Sequence, residues 1–212
     1  MTTLGLNHNF RNHVLYYYNK FASLYDLGEI VRKSTRQKAV TLSGWQPGEK
    51  VLDLCTGTGE LGLTFANAGA PVIGVDLARG MLKRAHTKTR RADASWLEMD
   101  AMHLAFPDNA FDVAVLSLAL HHMPEAVQIN VLKELSRVAR RKVVIIEPDV
   151  PVKPNWTPIW IFVAQIIDES EYMHEWAVQD FSATCHKAGL DVEMIHESTF
   201  GLHRLVVCTP VT

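Results

Sequence analysis

Short runs of Val, Ile and Leu alternate with longer stretches of helical periodicity through the middle of the chain. This alternation predicts a parallel sheet with helices on both faces, and the nearly continuous apolar runs predict strands that are buried on both sides. The predicted strands cover residues 50–55, 71–76, 94–100, 111–118 and 142–147. The predicted helices cover residues 60–68, 79–90 and 125–140, with Pro124 in the first turn of the last one. The expected fold class is therefore α/β, with a doubly wound, mostly parallel sheet.

The pattern changes on both sides of this core. Apolar and aromatic residues recur at helical spacing from Phe10 to Tyr25, which predicts an N-terminal helical lid over the sheet. Beyond the core, helices are predicted over residues 159–171 and 181–190, and Gly189 should end the second of them. Two final strands, residues 192–198 and 203–209, flank a short segment that contains Gly201. This spacing predicts a C-terminal antiparallel hairpin at the edge of the sheet.

Composition supports a single domain and narrows the class of partner. The 212 residues are 48% hydrophobic and 21% charged, as in an ordinary globular domain. We expect one domain with a lid (1–45), a core (46–148) and a C-terminal part (149–212). The 21 basic and 23 acidic residues form no long run of either sign, which argues against nucleic acid as a partner.

The cysteines and the apolar segments suggest a compartment. Three widely spaced cysteines offer neither a disulfide framework nor a set of metal ligands, which indicates a reducing, cytoplasmic environment. No secretory leader is recognised at residues 1–20, and the most apolar later stretch, residues 156–167, is too short to cross a bilayer. The oligomeric state stays open.

A glycine-rich turn after the first predicted strand carries the clearest chemical signal. Residues 51–62 read VLDLCTGTGELG, which places Gly57, Gly59 and Gly62 in a G-x-G-x-x-G pattern between a strand and a helix. Asp76 stands at the end of the next strand. Glycines let a ligand approach the backbone closely, and a carboxylate at a strand end can accept both hydroxyls of a ribose. The pattern predicts a cofactor with an adenosyl group.

Asp53 discriminates between the candidate cofactors. It lies at the end of the first strand, four residues before Gly57. A carboxylate there would repel a pyrophosphate on the helix N-terminus, as in NAD, whereas it would attract the α-ammonium of S-adenosylmethionine. The residues therefore favour S-adenosylmethionine over NAD.

Four segments resemble the class I S-adenosylmethionine-dependent methyltransferases, specifically the type-11 group that includes the ubiquinone and menaquinone biosynthesis C-methyltransferases. These are YNKFASLYD (18–26), the glycine turn, GVDLARGMLKRA (74–85) and AMHLAFPDNAFDVAVLSLALHHM (101–123). The resemblance implies a Rossmann-like fold and a methyl-transfer activity. The chain departs from the family at Cys55, where Gly or Ala is usual, and in a shorter region after residue 150.

The resemblance also implies a role for particular residues. Asp53 and the backbone around Gly57 and Gly59 would hold the methionine part of the cofactor, and Asp76 would hold the ribose. The other implied contacts are Leu77 and Met81 beside the adenine, Asp100, Ala101 and Met102 at its edge and ring, Ser117 and Leu118 beneath the sulfonium, and Tyr25 with Tyr18 at the carboxylate end.

Three residues are candidates for catalysis: His121, Glu147 and Tyr18. His121 and Glu147 follow neighbouring predicted strands at the carboxyl edge of the sheet, where a His/Glu pair could deprotonate an acceptor. Methyl transfer is an in-line displacement that mainly needs alignment. A structural role is therefore the alternative, in which Glu147 binds a backbone amide.

The acceptor is expected to be small and apolar or lipid-like, such as a quinone-type carbon or a phospholipid amine. The aromatic residues of the lid and the apolar segment 158–167 support this expectation, because a greasy lid excludes water from an apolar acceptor. Peripheral contact with a membrane is left open. An NAD-dependent oxidoreductase and a noncatalytic, cofactor-binding regulator are the alternative functions.

Overall fold

A single mixed sheet organises the part of the chain that the computed structural model describes, residues 29–89, 93–149, 172–197 and 203–211. Its seven strands follow the order β3-β2-β1-β4-β5-β7-β6. They are β1 (Val51–Leu54), β2 (Val72–Asp76), β3 (Ala94–Glu98), β4 (Phe111–Ser117), β5 (Ala139–Pro148), β6 (Leu190–Glu197) and β7 (His203–Pro210). Strands β1 to β5 are parallel, and β7 runs antiparallel to both β5 and β6. The predicted fold class and the hairpin at the sheet edge are confirmed.

Helices pack on both faces of this sheet. They are α1 (Glu29–Ser43), α2 (Glu60–Asn67), α3 (Arg79–Lys88), α4 (Glu125–Val138), α5 (Met173–Val178) and α6 (Phe181–Lys187). On one face, Leu132 of α4 and Trp176 of α5 are buried in a core that includes Leu116 of β4. On the other face, Ala39 of α1 and Phe65 of α2 share a core with residues of β4 and β5. The apolar runs of the sequence thus become strands enclosed from both sides.

The boundary between α4 and β5 differs from the prediction. The helix predicted over residues 125–140 ends at Val138, and the strand begins at Ala139, three residues earlier than expected. Ala139 pairs with Phe111 of β4, and Arg140 forms an ion pair with Asp112. Pairing with β4 therefore overrides the helical periodicity. At the other end of the helix, Pro124 is the residue before the first turn and not within it.

Several predicted elements lie outside the described residues. These are residues 1–28 of the predicted lid, with Tyr18 and Tyr25, and the helix and apolar segment predicted between residues 156 and 171. No helix among the described residues has both the length and the apolar character that a membrane crossing requires.

Trp96 of β3 explains why glycines stand at three positions around the glycine turn. A Cβ atom added at Gly59 would lie 2.9 Å from its ring, and one at Gly62 would lie 3.2 Å away. A Cβ atom at Gly74 of β2 would lie closer still, so that position has no room for a side chain. The ring is fixed by a hydrogen bond from Nε1 to Thr89 Oγ1, at 2.7 Å. Two of the three motif glycines therefore serve packing, as does Gly74.

Candidate functional site

A cavity of about 170 Å³ opens at the carboxyl edge of the sheet, above β1, β2, β4 and β5. It brings together ten of the residues that the sequence predicts as cofactor contacts: Asp53, Gly57, Asp76, Leu77, Met81, Asp100, Ala101, Met102, Ser117 and Leu118. Gly59 is not part of the lining, and Tyr25 lies outside the described residues. The individual roles of these residues remain predictions.

Asp53 lies beneath the glycine turn and is only 1% exposed. Its Oδ2 accepts hydrogen bonds from the Thr56 hydroxyl at 2.5 Å and from the Gly62 N–H at 2.8 Å. Burial raises the pKa of Asp53 from 3.8 to about 7, although both hydrogen bonds and the charge of Arg36 act to lower it. Near pH 7 the carboxyl group is therefore poised between its neutral and charged forms, and a bound cation would favour the charged form.

Asp76 joins the end of β2 to the glycine turn. Its Oδ2 accepts the N–H of Gly57, and its Oδ1 accepts the N–H of Ala78, both at 2.8 Å. Burial raises the pKa of Asp76, while these two backbone donors lower it. Gly57 has a φ of 54°, and a Cβ atom added there would meet nothing within 4 Å. The backbone at Gly57 is thus open to a ligand, beside a carboxylate whose orientation is fixed.

The turns after β3 and β4 form further parts of the cavity wall. Asp100 Oδ1 accepts the N–H of Met102 at 3.0 Å, which folds the turn around Ala101. After β4, Leu118 adopts a left-handed conformation with a φ of 53°. This conformation is costly for a residue with a branched side chain. It turns the chain directly after Ser117, so that both residues border the cavity.

His121 and Glu147 form a buried pair, and neither residue is part of the cavity lining. His121 is 1% exposed and Glu147 is fully buried. The distance from His121 Nδ1 to Glu147 Oε2 is 2.5 Å. Glu147 Oε1 also accepts the N–H groups of Ala119, at 3.0 Å, and Leu120, at 2.8 Å. This is the geometry of the structural alternative, in which Glu147 holds the turn after β4.

Of the two adjacent histidines, His122 is the one that borders the cavity. Its ring lies against the ring of His121, with 4.0 Å between the centroids and a tilt of 41° between the planes. His122 directly follows His121, and nothing in the sequence indicates which of the two side chains reaches the cavity. That choice depends on the left-handed turn at Leu118, which leaves no periodic signal in the sequence.

Sequence analysis missed a group of polar residues in the cavity wall: Thr35, Arg36, Thr56, Thr58, Glu60 and His203. Arg36 reaches the cavity from α1, a helix that the sequence analysis did not separate from the lid. His203 begins β7 opposite Pro148 of β5. Only the packing of α1 and β7 beside the strand ends brings Arg36 and His203 to the site.

A seven-stranded sheet of this order, with a glycine turn between acidic strand ends, defines a class I methyltransferase domain. Comparison with known families agrees, because residues 51–142 match the family model described as a methyltransferase domain. This part of the chain is similar to that family. The predicted class is confirmed, and nothing in the comparisons supports the oxidoreductase alternative.

Curated relatives are similar to the chain over part of their length. The demethylmenaquinone methyltransferase of Paenarthrobacter aurescens is 38% identical over 115 residues, which cover 53% of this chain and 44% of the relative. The protein of the same name from Lactobacillus johnsonii is 33% identical over 156 residues, which cover 69% of this chain and 62% of the relative. The chain thus spans about half the length of the first of these relatives.

Solved structures share the fold at low sequence identity. An S-adenosylmethionine-dependent methyltransferase from Aquifex aeolicus has a TM-score of 0.72 at 19% identity, and the match covers 91% of this chain and 98% of that one. The magnesium protoporphyrin IX methyltransferase of Synechocystis, solved with bound S-adenosylmethionine, has a TM-score of 0.68 at 17% identity. The match covers 95% of this chain and 97% of that one. These similarities confirm the Rossmann-like methyltransferase fold.

Proposed function

We propose that the chain binds S-adenosylmethionine in this cavity and transfers the cofactor's methyl group to a small, apolar or lipid-like acceptor. The observation that carries the proposal is the convergence of the two strand-end carboxylates, Asp53 and Asp76, with the open backbone at Gly57 in one cavity. When bound, the cofactor supplies an electrophilic methyl group on a sulfonium. The chain's own task is to bind the cofactor and the acceptor, to orient them, and to exclude water.

The residues in the cavity wall fit an adenosyl cofactor. Asp76 stands where a carboxylate can accept ribose hydroxyls, because each of its oxygens keeps a lone pair beyond the one used by Gly57 or Ala78. The turn at Ala101 and Met102 offers backbone groups and an apolar side chain to an adenine. Asp53 offers a carboxyl group to a cation. In this proposal, Ser117 and Leu118 support the reacting end of the cofactor from below.

A base is not obligatory, and the buried pair is better suited to positioning. Glu147 binds two consecutive amides of the turn after β4 and the ring of His121. Together they hold His122 at the cavity wall. If the acceptor must lose a proton, we propose that His122, rather than His121, meets it. The other catalytic candidate, Tyr18, lies outside the described residues.

Apolar side chains along the rest of the wall support an apolar acceptor. They are Met99, Met123, Val127, Val131 and Ile146. Such a surface can stabilise an apolar ligand by about 25 cal/mol for each Å² that is buried. The relatives named demethylmenaquinone methyltransferase point in the same direction. A quinone-type ring carbon is therefore the first acceptor to test, and a phospholipid amine is the second.

Two measurements test the proposal. Calorimetric titration with S-adenosylmethionine, S-adenosylhomocysteine and NAD should show binding of the first two and none of NAD. Methyl transfer from an isotopically labelled donor is then compared among demethylmenaquinone in detergent, phosphatidylethanolamine and a pool of polar metabolites, alongside binding to liposomes.

The outcomes separate the parts of the proposal. Turnover confined to the polar pool, without binding to liposomes, would reject the lipid-like acceptor and retain the methyltransferase. Cofactor binding without transfer to any of the three acceptors would instead favour the noncatalytic regulator. Binding of NAD, with no binding of either S-adenosyl compound, would reject S-adenosylmethionine as the cofactor.

A further inference from the structure

The cavity extends past the strands that the proposed function assigns to the cofactor. Asp76, Asp53 and Ser117 stand near the ends of β2, β1 and β4. The lining then continues to Ile146 of β5 and His203 of β7. Neighbouring strands lie about 4.8 Å apart, so β7 is roughly 10 Å beyond β4 and roughly 14 Å beyond β1 in the strand order. His203 therefore stands at the end of the cavity that the cofactor leaves to the acceptor.

Helix α1 adds a hydroxyl group to the same end of the cavity. Thr35 is 6% exposed and lines the cavity one helical turn before Ala39. Ala39 packs in the core that also contains Ile146 and Leu205. Side chains alternate along a strand, so His203 of β7 lies on the same face of the sheet as Leu205, the face that α1 covers. The side chains of Thr35, Ile146 and His203 thus belong to one part of the cavity wall.

This part of the wall combines an apolar side chain with two hydrogen-bonding groups. An imidazole has two ring nitrogens, and a hydroxyl can both donate and accept, so the pair suits either a hydroxyl or a carbonyl oxygen. An acceptor that fills this end removes water from both groups, and a plain hydrocarbon cannot replace the hydrogen bonds that are lost. We propose that His203, with Thr35 beside it, binds an oxygen substituent on the acceptor and so determines which rings are accepted. This inference rests on the proposed function, and it favours the quinone-type ring over the phospholipid amine.

The role of His203 differs from that of His122. Both histidines line the cavity, but His122 comes from the turn after β4 and His203 from the start of β7. Removal of a proton is assigned to His122, whereas His203 selects the acceptor through a hydrogen bond. The direct measurement of the inference is therefore the binding of a ring, without turnover.

Two probes that differ in one group separate the oxygen from the rest of the ring. They are 1-naphthol and 1-methylnaphthalene, which share a ring system and are similar in volume. Equilibrium dialysis measures their binding to the wild type, His203→Phe and His203→Gln, each saturated with S-adenosylhomocysteine so that the cofactor's part of the cavity is filled. The matched control is His174→Phe, because His174 is an exposed histidine of α5 and is not part of the cavity lining. Calorimetry measures the affinity of every variant for S-adenosylhomocysteine itself.

The wild type should bind 1-naphthol about 5- to 30-fold more tightly than 1-methylnaphthalene, the usual effect of one hydrogen bond to a buried polar group. His203→Phe should lose most of this preference, while its affinity for 1-methylnaphthalene stays within about threefold of the wild type. His203→Gln should keep part of the preference, because an amide can donate and accept a hydrogen bond. His174→Phe should bind both probes as the wild type does, and all variants should keep their affinity for S-adenosylhomocysteine.

Four results would overturn the inference. The first is a loaded wild type that binds the two probes equally, or binds neither of them. The second is a preference for 1-naphthol that survives in His203→Phe. The third is a His203→Phe variant that loses affinity for both probes and for S-adenosylhomocysteine together, which would mean a structural role. These three leave the proposed cofactor in place, because the wild type still binds S-adenosylhomocysteine. The fourth is a wild type that does not bind S-adenosylhomocysteine, which would reject the proposed function as well.

Discussion

In the absence of cofactor, Asp53→Asn should make the folded protein more stable at alkaline pH. The same substitution should weaken cofactor binding. The carboxyl group is 1% exposed, and its pKa rises from 3.8 to about 7 because of burial. Between these two values the folded protein keeps a proton that the unfolded chain has already released. The stability that this group contributes therefore falls as the pH rises through this interval. Asparagine has no such titration, and its amide oxygen can still accept the two hydrogen bonds from Thr56 and Gly62.

The size of the effect follows from the two pKa values. At about 1.4 kcal/mol per pH unit, ionising Asp53 in the folded state costs up to about 4 kcal/mol. Part of this cost is already present at pH 5, so the difference between variant and wild type should grow by about 2–3 kcal/mol from pH 5 to pH 8.5. For a chain of this length, this corresponds to roughly 5–10 °C in melting temperature.

Urea denaturation of the wild type and Asp53→Asn at a series of pH values, without ligand, measures this difference directly. Asp191→Asn is the matched control, because Asp191 is exposed. The affinity of the wild type for S-adenosylhomocysteine should rise from pH 6 to pH 8, as ionised Asp53 receives the ammonium, and Asp53→Asn should lose this dependence. Parallel stability curves for the two proteins across the pH range would refute the reasoning.

Three further substitutions test other parts of the site. Asp76→Ala should weaken the binding of S-adenosylhomocysteine by about 1.5–3 kcal/mol, because its hydrogen bonds to the ribose are lost. An unchanged affinity in calorimetry would reject Asp76 as the ribose contact. Glu147→Ala removes the partner of a buried histidine and of two amides, and should lower the free energy of unfolding by about 3–5 kcal/mol; a loss below about 1 kcal/mol in urea denaturation would contradict the positioning role. His122→Ala should lower kcat by about 100-fold if the acceptor loses a proton to it, with cofactor affinity unchanged; wild-type turnover would leave alignment as the source of catalysis.

The sequence predicted the framework of the sheet well because its signals are local. Apolar runs marked each of the described strands, and the glycine turn with Asp53 and Asp76 marked the ligand edge. The start of β5 was missed because Ala139 and Arg140 continue the helical periodicity of α4. Only the pairing of this strand with β4 ends the helix, and such pairing depends on residues that are distant in the sequence.

The site was less predictable because part of its polar wall comes from elements that motifs do not describe. Arg36 depends on how α1 packs on the sheet, and His203 depends on the register between β5 and β7. The sequence analysis chose His121, and not His122, as the candidate for catalysis. In the structure, the turn at Leu118 buries the first and brings the second to the cavity.

The ring of Trp96 has a consequence for how this domain can evolve. Because one indole fills the space beneath Gly59, Gly62 and Gly74, the residues allowed at these positions are not independent of one another. An alanine at Gly74 is excluded while the indole is present; with a smaller side chain at position 96, the remaining close contact is the Thr56 hydroxyl, 2.9 Å from the added Cβ atom. The order of the two substitutions therefore matters, since the reverse order passes through an overpacked intermediate. The glycine turn itself stays closed even then, because Gly59 has a φ of 83° and a Cβ atom at Gly62 would still lie 2.9 Å from Asp53 Oδ2.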